Sequence, residues 1–187
     1  MTGLHGQVRV GAPLLVLALH SEAQFLRTTL PVLITGVGKV NAALAVAEVL
    51  AGGLLPSEVV NFGTAGALRP GLVGTHEVSE VLEHDLDGDI LQAMTGGRHT
   101  ERITLAGRGP VLATGDVFVD DDLLRARLGT VADLVDMEGY AVARAAGRRG
   151  VPVRLIKHVS DEAGDGAART WAEAVEDCAR RLAASVG

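Results

Sequence analysis

The chain has 187 residues, of which 48% are hydrophobic and 21% charged, and its formal net charge is −6 at pH 7. These proportions are typical of a folded globular protein, and the length favours one domain over residues 1–187. The acidic balance argues against binding to nucleic acid or to an anionic membrane surface, and no apolar run is long enough to span a bilayer. The single cysteine, Cys178, allows no internal disulfide, which is typical of a cytoplasmic protein.

Short apolar runs predict strands in the first third of the chain, and a 3.6-residue apolar period predicts a helix. Strands are expected over residues 14–19 and 32–35, and the helix begins at Lys39 and stops at Gly52-Gly53. We expect this helix to bury one apolar face, which consists of Val40, Ala43, Leu44, Ala47 and Leu50.

The middle of the chain predicts three further strands, over residues 59–62, 78–82 and 110–113. The first of them runs into the glycine-rich segment 63–66, which we expect to form a turn. The polar, glycine-bearing segment 85–109 has only a weak apolar period, so it predicts an irregular loop.

Helix and strand signals continue to alternate in the last third. The acidic run 120–122 predicts a helix start, because carboxylates favour the positive end of the helix dipole. A strand near 134–135 leads into a helix over 138–149 and then a buried strand over 151–159. The final helix carries one apolar face, which consists of Trp171, Ala174, Val175, Cys178 and Leu182. This order predicts an α/β sandwich whose largely parallel or mixed sheet is covered by helices on both faces.

Polar residues that close an apolar run are candidates for a functional site, because ligands of open α/β sheets bind beyond the carboxyl ends of the strands. The candidates are Glu22, the segment 61–66, the segment 115–119, Asp136-Met137-Glu138 and Ser160-Asp161. The six histidines do not have the paired spacing of zinc ligands, so the sequence predicts no metal site.

Five motifs occur in the order seen in the nucleoside phosphorylase/nucleosidase family. They are Gly36-Val-Gly-Lys-Val-Asn-Ala-Ala43, Asn61-Phe-Gly-Thr-Ala-Gly66, Gly115-Asp-Val-Phe-Val119, Asp136-Met-Glu-Gly139 and Val159-Ser-Asp161. The chain resembles that family, and within it the 5′-methylthioadenosine/S-adenosylhomocysteine nucleosidases. The resemblance implies a three-layer α/β/α fold with a mixed central sheet, cleavage of the N-glycosidic bond of a purine nucleoside, no cofactor, and a homodimer in which a partner loop completes the pocket.

The resemblance also implies roles for three acidic residues. Asp161 matches the general acid that protonates the purine, Glu22 matches the residue that activates water, and Glu138 matches the one that holds the ribose hydroxyls. Cleavage of a ribosyl–base bond builds positive charge on the sugar and negative charge on the base. Two carboxyl groups in different environments are therefore suited to the acid and the base of this reaction.

Other residues are expected to bind the substrate. By resemblance Met137 packs against the sugar, Phe118 stacks on the base, and the backbone of Val119 contacts the edge of the base. The remaining expected substrate-binding residues are Thr64, Gly66 and Ser160.

The sequence favours water over phosphate as the acceptor. Purine and uridine phosphorylases hold phosphate partly with arginines near the first strand and before the glycine-rich segment, where this chain has Glu22 and Asn61. A carboxylate there would repel phosphate by about 4 kcal/mol per close charge pair at an effective dielectric of about 20. Phosphorolysis is an alternative reaction, because Lys157 and His158 could supply positive charge to hold phosphate.

A nucleoside-binding protein without turnover is a second alternative. The chain is shorter than typical nucleosidases, and the loss is concentrated between Leu26 and Val32, so part of the 5′-side wall is expected to be missing. The sequence does not identify the base or the 5′ substituent of the substrate, and a futalosine-like nucleoside is compatible with the same residues.

Overall fold

The computed structural model describes residues 3–184, which form ten strands and six helices. The strands are β1 (Gly3–His5), β2 (Leu14–Leu17), β3 (Val32–Ile34), β4 (Val59–Ala67), β5 (Thr75–Glu77), β6 (Glu80–Glu83), β7 (Ile103–Thr104), β8 (Val111–Thr114), β9 (Leu134–Asp136) and β10 (Val153–Asp161). The helices are α1 (His20–Ala23), α2 (Lys39–Ala51), α3 (Gly88–Thr95), α4 (Asp122–Leu128), α5 (Gly139–Gly147) and α6 (Ala167–Ala184).

All ten strands belong to one mixed sheet. β3, β2, β4 and β10 are paired in parallel, and β6, β8 and β9 form a second parallel group. The two groups meet where β4 and β9 run antiparallel, with Gly66 opposite Val135 and Ala67 opposite Leu134. This junction brings the ends of strands from both groups to one region of the sheet.

Helices cover both faces of the sheet, as the alternation of side chains along β2 shows. Leu14 and Val16 pack into a cluster with residues of α2 and α5. Leu15 and Leu17 pack on the opposite face, in a cluster that includes Leu182 of α6. The predicted three-layer α/β/α sandwich with a mixed central sheet is therefore confirmed.

The predicted buried face of α2 was right for Leu50 and wrong for Val40 and Leu44. The helix buries Ala42, Val46 and Leu50 against α5, whereas Val40 is 67% exposed and Leu44 is 65% exposed. Alanine, valine and leucine occur around the whole circumference of α2, so periodicity alone did not identify the face that meets α5. The exposed residues form an apolar stripe on the outside of the fold.

The predicted turn at residues 63–66 was also wrong, because β4 continues without interruption to Ala67. Gly63 pairs with Lys157 and Gly66 pairs with Asp161 of β10. A Cβ on Gly66 would lie 2.7 Å from the Cβ of Ala163 and 3.0 Å from Oδ1 of Asp161. The glycine is therefore explained by the close approach of neighbouring groups.

The segment 85–109 is only partly irregular, because it contains α3 and β7. The Asp87 side chain caps α3 by accepting a hydrogen bond from the Ile90 amide at 3.0 Å. No residue of α3 is buried, so the helix has no buried face that an apolar period could reveal. The predicted helix start at the acidic run is confirmed, since Asp121 caps α4 in the same way.

Candidate active site

A cavity of about 450 Å³ lies where the ends of β2, β8, β9 and β10 come near the second half of β4. The nine residues to which the sequence analysis gave a catalytic or substrate-binding role all line this cavity: Glu22, Thr64, Gly66, Phe118, Val119, Met137, Glu138, Ser160 and Asp161. Of the wider candidate segments, Asn61 to Gly63 and Gly115-Asp116 do not line it. The cavity wall also includes residues that were not predicted as site residues, among them Leu19, Val37, Ala168 and Trp171.

Glu22 lies in the short helix α1, which follows β2 after two residues, and it is only 4% exposed. Its Oε2 accepts a hydrogen bond from the Leu19 amide at 3.1 Å. Its Oε1 accepts from the amide of Thr64 at 3.0 Å and from the Thr64 hydroxyl at 3.3 Å. Donors from the segment before α1 and from β4 thus fix the carboxylate in the cavity wall.

Glu138 lies between β9 and α5, where its Oε1 accepts a hydrogen bond from the Gly38 amide at 2.8 Å. Burial, with a further contribution from the nearby Asp136 carboxylate, raises the pKa of Glu138 to about 8. Gly38 has φ of 95°, a conformation that favours glycine, and a Cβ there would lie 3.0 Å from Oδ1 of Asp116. The raised pKa favours the protonated form of the Glu138 side chain.

Lys157 is 1% exposed and is paired within the fold. Its Nζ lies 2.8 Å from Oδ2 of Asp136 and donates to Oδ1 of Asn61 at 2.7 Å. Asp136 in turn accepts hydrogen bonds from the Thr114 hydroxyl and the Gly139 amide, at 2.6 and 2.8 Å. The ammonium group of Lys157 thus belongs to a buried network that ties β4, β9 and β10 together.

Asp161 ends β10 and is 8% exposed. Its Oδ2 accepts from the Ser160 hydroxyl at 2.6 Å, and its Oδ1 accepts from the Ala163 amide at 2.9 Å. The register of β10 against β4 shifts between Val159 and Asp161. Such an irregularity redirects side chains at a strand end, which is common beside functional sites.

The mouth of the cavity is apolar and open to solvent. Val37, Val117 and Phe118 are 41%, 54% and 41% exposed. The segment that carries Phe118 is held against the start of α2, because the Lys39 amide donates to Oδ1 of Asp116 at 2.7 Å. Apolar and aromatic side chains at this place can cover the faces of a flat heterocycle.

Trp171 was predicted to contribute to the buried face of the last helix, but it also lines the cavity. Its indole Nε1 donates a hydrogen bond to the Thr64 hydroxyl at 2.9 Å. Its place as the chain's only tryptophan, ten residues beyond Asp161, is a signal in the sequence that could have drawn attention to it.

The structure places His158 outside the cavity. Its Nδ1 is hydrogen-bonded to the Thr75 hydroxyl at 2.7 Å, on the neighbouring strand β5. Within residues 3–184, no cluster of three or more histidine, cysteine, aspartate or glutamate side chains is placed to hold a metal ion. In the same part of the chain, no helix is both long and apolar enough to cross a membrane.

The fold is a mixed α/β sandwich, and acidic side chains line its cavity. A model of the Phosphorylase superfamily matches residues 20–90 and 76–187, so the chain belongs to that superfamily. Among curated relatives, a protein of Anoxybacillus flavithermus is 32% identical over 158 residues, covering 70% of this chain and 66% of that protein. A protein of Colwellia psychrerythraea is 32% identical over 181 residues, covering 78% and 72%. Both are named 5′-methylthioadenosine/S-adenosylhomocysteine nucleosidase.

Solved structures agree on the fold. A mutant of the Helicobacter pylori 5′-methylthioadenosine/S-adenosylhomocysteine nucleosidase, solved with 5′-methylthioadenosine in its active site, superposes with a TM-score of 0.82 at 21% identity. That alignment covers 94% of this chain and 96% of the other. Futalosine hydrolase from the same organism superposes with a TM-score of 0.81 at 20% identity, covering 95% and 96%. The family model and the curated relatives confirm the family resemblance drawn from the five motifs.

Proposed function

We propose that this chain is a nucleosidase that hydrolyses the N-glycosidic bond of a purine nucleoside, releasing the free base and a ribose derivative. The observation that carries the proposal is that Glu22, Glu138 and Asp161, which are far apart in the sequence, line one cavity. The relatives named as nucleosidases support methylthioadenosine and S-adenosylhomocysteine as the first substrates to test. The similar fold of futalosine hydrolase adds futalosine as a third.

We assign the protonation of the departing purine to Asp161. Its carboxyl group donates a proton to the purine as the C1′–N9 bond breaks, and the bonding electrons leave with the base. Ser160 holds one oxygen of this carboxyl group and the Ala163 amide holds the other, which fixes the acid at the strand end. Phe118 at the mouth covers one face of the base.

We assign the activation of water to Glu22 and the binding of the ribose hydroxyls to Glu138. Glu22 takes a proton from water as the water oxygen bonds to C1′, and its three hydrogen bonds hold it for this step. One oxygen of Glu138 is occupied by the Gly38 amide, and we assign the other to the ribose hydroxyls. Met137, which also lines the cavity, packs against the sugar.

Water is the better acceptor than phosphate in this site. The Lys157 ammonium, the cation that could have held phosphate, is bound to Asp136 and Asn61. Glu22 lines the cavity, and its carboxylate would repel an anion beside C1′. His158 lies outside the cavity wall.

The test is release of free base from methylthioadenosine, S-adenosylhomocysteine, futalosine and adenosine, followed by chromatography with and without phosphate. We expect release in phosphate-free buffer, with a free ribose derivative as the second product. Release that requires phosphate and yields a sugar 1-phosphate would contradict the hydrolase assignment. Tight nucleoside binding with no release of base would instead support a binding protein.

We also infer that the protein acts in the cytoplasm as a homodimer. Val37, Val40 and Leu44 form an apolar stripe along the start of α2, and each is more than 40% exposed. This stripe continues to the cavity mouth, since Val37 also lines the cavity with the exposed Val117 and Phe118. A second copy would cover the stripe and the open side of the mouth together. The single cysteine is in keeping with a reducing compartment.

A further inference from the structure

We propose that Trp171 is a positioning residue for Glu22, and that it acts through the hydroxyl group of Thr64. The inference rests on the proposed function, because it concerns the carboxylate that takes the proton from water. It adds a residue of the last helix to the groups that determine how that carboxylate is held.

Three side chains form a continuous hydrogen-bonded chain. The Trp171 indole Nε1 lies 2.9 Å from Oγ1 of Thr64, and Oγ1 lies 3.3 Å from Oε1 of Glu22. The Thr64 amide donates to the same Oε1 at 3.0 Å. Both Trp171 and Glu22 line the cavity, so the chain runs along its wall.

Chemistry fixes the direction of this chain. An indole N–H can only donate a hydrogen bond, so the Thr64 hydroxyl must accept from Trp171. A hydroxyl group has one proton, and the remaining contact of Oγ1 is the Glu22 carboxylate, which accepts it. The indole therefore occupies an acceptor site of the hydroxyl and leaves the hydroxyl proton directed at Glu22.

Loss of the indole N–H removes the constraint on the orientation of the Thr64 hydroxyl. The backbone around Glu22 stays folded. Without the indole N–H the Thr64 hydroxyl can rotate and donate elsewhere, to water or to the substrate. The amides of Leu19 and Thr64 still hold the carboxylate, at 3.1 and 3.0 Å. The expected loss is therefore that of one hydrogen bond, about five- to tenfold in kcat.

The test is a double-mutant cycle with Trp171→Phe, which keeps an aromatic ring in the wall, and Thr64→Val, which removes the hydroxyl. We expect each single variant to lower kcat for base release about five- to tenfold with a small change in KM. The double variant should be no slower than the slower single variant, because both changes break the same chain. Thr64→Ser keeps the hydroxyl and should restore most of the activity lost in Thr64→Val, but only when Trp171 is present.

Thr170→Val is the matched control, because Thr170 is exposed, precedes Trp171 in α6 and bonds only to the Gly166 carbonyl among the described contacts. It should leave kcat unchanged, and thermal unfolding should show all variants folded. If Trp171→Phe does not fold, the comparison of Thr64→Ser with Thr64→Val still tests whether the Thr64 hydroxyl contributes to kcat.

Three results would overturn the proposal: losses in kcat that multiply in the double variant, an unchanged kcat in Trp171→Phe, or an effect on KM alone. Trp171 would then only line the cavity. Wild-type protein that releases no base would overturn the proposed function as well, so the two failures are distinguishable.

Discussion

Glu138→Gln should change how the stability of the protein depends on pH. The folded-state pKa of Glu138 is raised to about 8 by burial and by the neighbouring Asp136, whereas the ordinary value for glutamate is 4.5. Between these two values the folded chain holds a proton that the unfolded chain releases. The stability of the wild-type protein therefore falls as pH rises through this window, because the unfolded state binds fewer protons.

The magnitude follows from proton linkage. One proton of difference changes the free energy of unfolding by up to about 1.4 kcal/mol for each pH unit. Glutamine has nearly the same shape, and its amide oxygen can still accept the hydrogen bond from Gly38 that now goes to Oε1. Because it does not titrate, the variant should become more stable relative to the wild type at each step from about pH 5 to pH 8.

The assay is urea unfolding of both proteins at several pH values across this range. Glu173→Gln is the matched control, since Glu173 is exposed on α6, and it should follow the wild type. A difference in unfolding free energy between Glu138→Gln and wild type that stays constant from pH 5 to pH 8 would refute the buried, protonated state of Glu138.

Four further changes test the site and the assembly. Asp161→Asn should lower the rate of base release by about 10²- to 10⁴-fold with unchanged thermal unfolding, and full activity would remove Asp161 as the general acid. Lys157→Met should lower the free energy of unfolding by about 3–5 kcal/mol in urea titrations, because Asp136 is left buried without its cation. Gly66→Ala should lower kcat by displacing Asp161, since its Cβ would lie 3.0 Å from Oδ1, whereas Gly147→Ala, with no neighbour within 4 Å, should not. Leu44→Glu should convert a dimer to monomers in sedimentation analysis, and an unchanged sedimentation coefficient would count against the α2 interface.

The positions of the acidic residues were predictable because they depend on local sequence. A polar residue after a buried run marks a strand end, and the parallel strands β2, β4 and β10 bring the ends near Glu22 and Asp161 together. Glu138 follows β9, which runs antiparallel to β4, and it joins them because the two strand groups meet at the end of β4. Glu22, Glu138 and Asp161 each follow or end such a run, and the structure places all three in one cavity wall. The fold class could be predicted from the alternation of short apolar runs, which indicate strands, with 3.6-residue apolar periods, which indicate helices.

Features that depend on contacts between distant segments were not predictable. The buried face of α2 is set by α5, and α2 itself carries apolar residues on every side, so Val40 and Leu44 were assigned to the wrong environment. The glycines of β4 indicate a turn only while their neighbours on β10 are unknown. The contact between Trp171 and Thr64 joins residues 107 positions apart, and no spacing rule connects them.

Under the proposed function, the charges around the cavity would favour positive charge on the sugar and disfavour an anionic acceptor. Burial raises the pKa of Glu138, which favours the protonated form of that side chain, and the buried ammonium of Lys157 lies 2.8 Å from Oδ2 of Asp136. Lys157 is held against Asp136, and among the described contacts neither Glu22 nor Asp161, which both line the cavity, forms a salt bridge. In the mechanism proposed above, a carboxylate at Glu22 would stabilise positive charge that develops on C1′ and would repel phosphate from the same place. Substitution of Glu22 by glutamine should therefore lower the rate of hydrolysis and should not create a phosphate-dependent reaction, because Lys157 remains bound to Asp136. Base release by Glu22→Gln that is stimulated by phosphate would show that the carboxylate alone had excluded the anion.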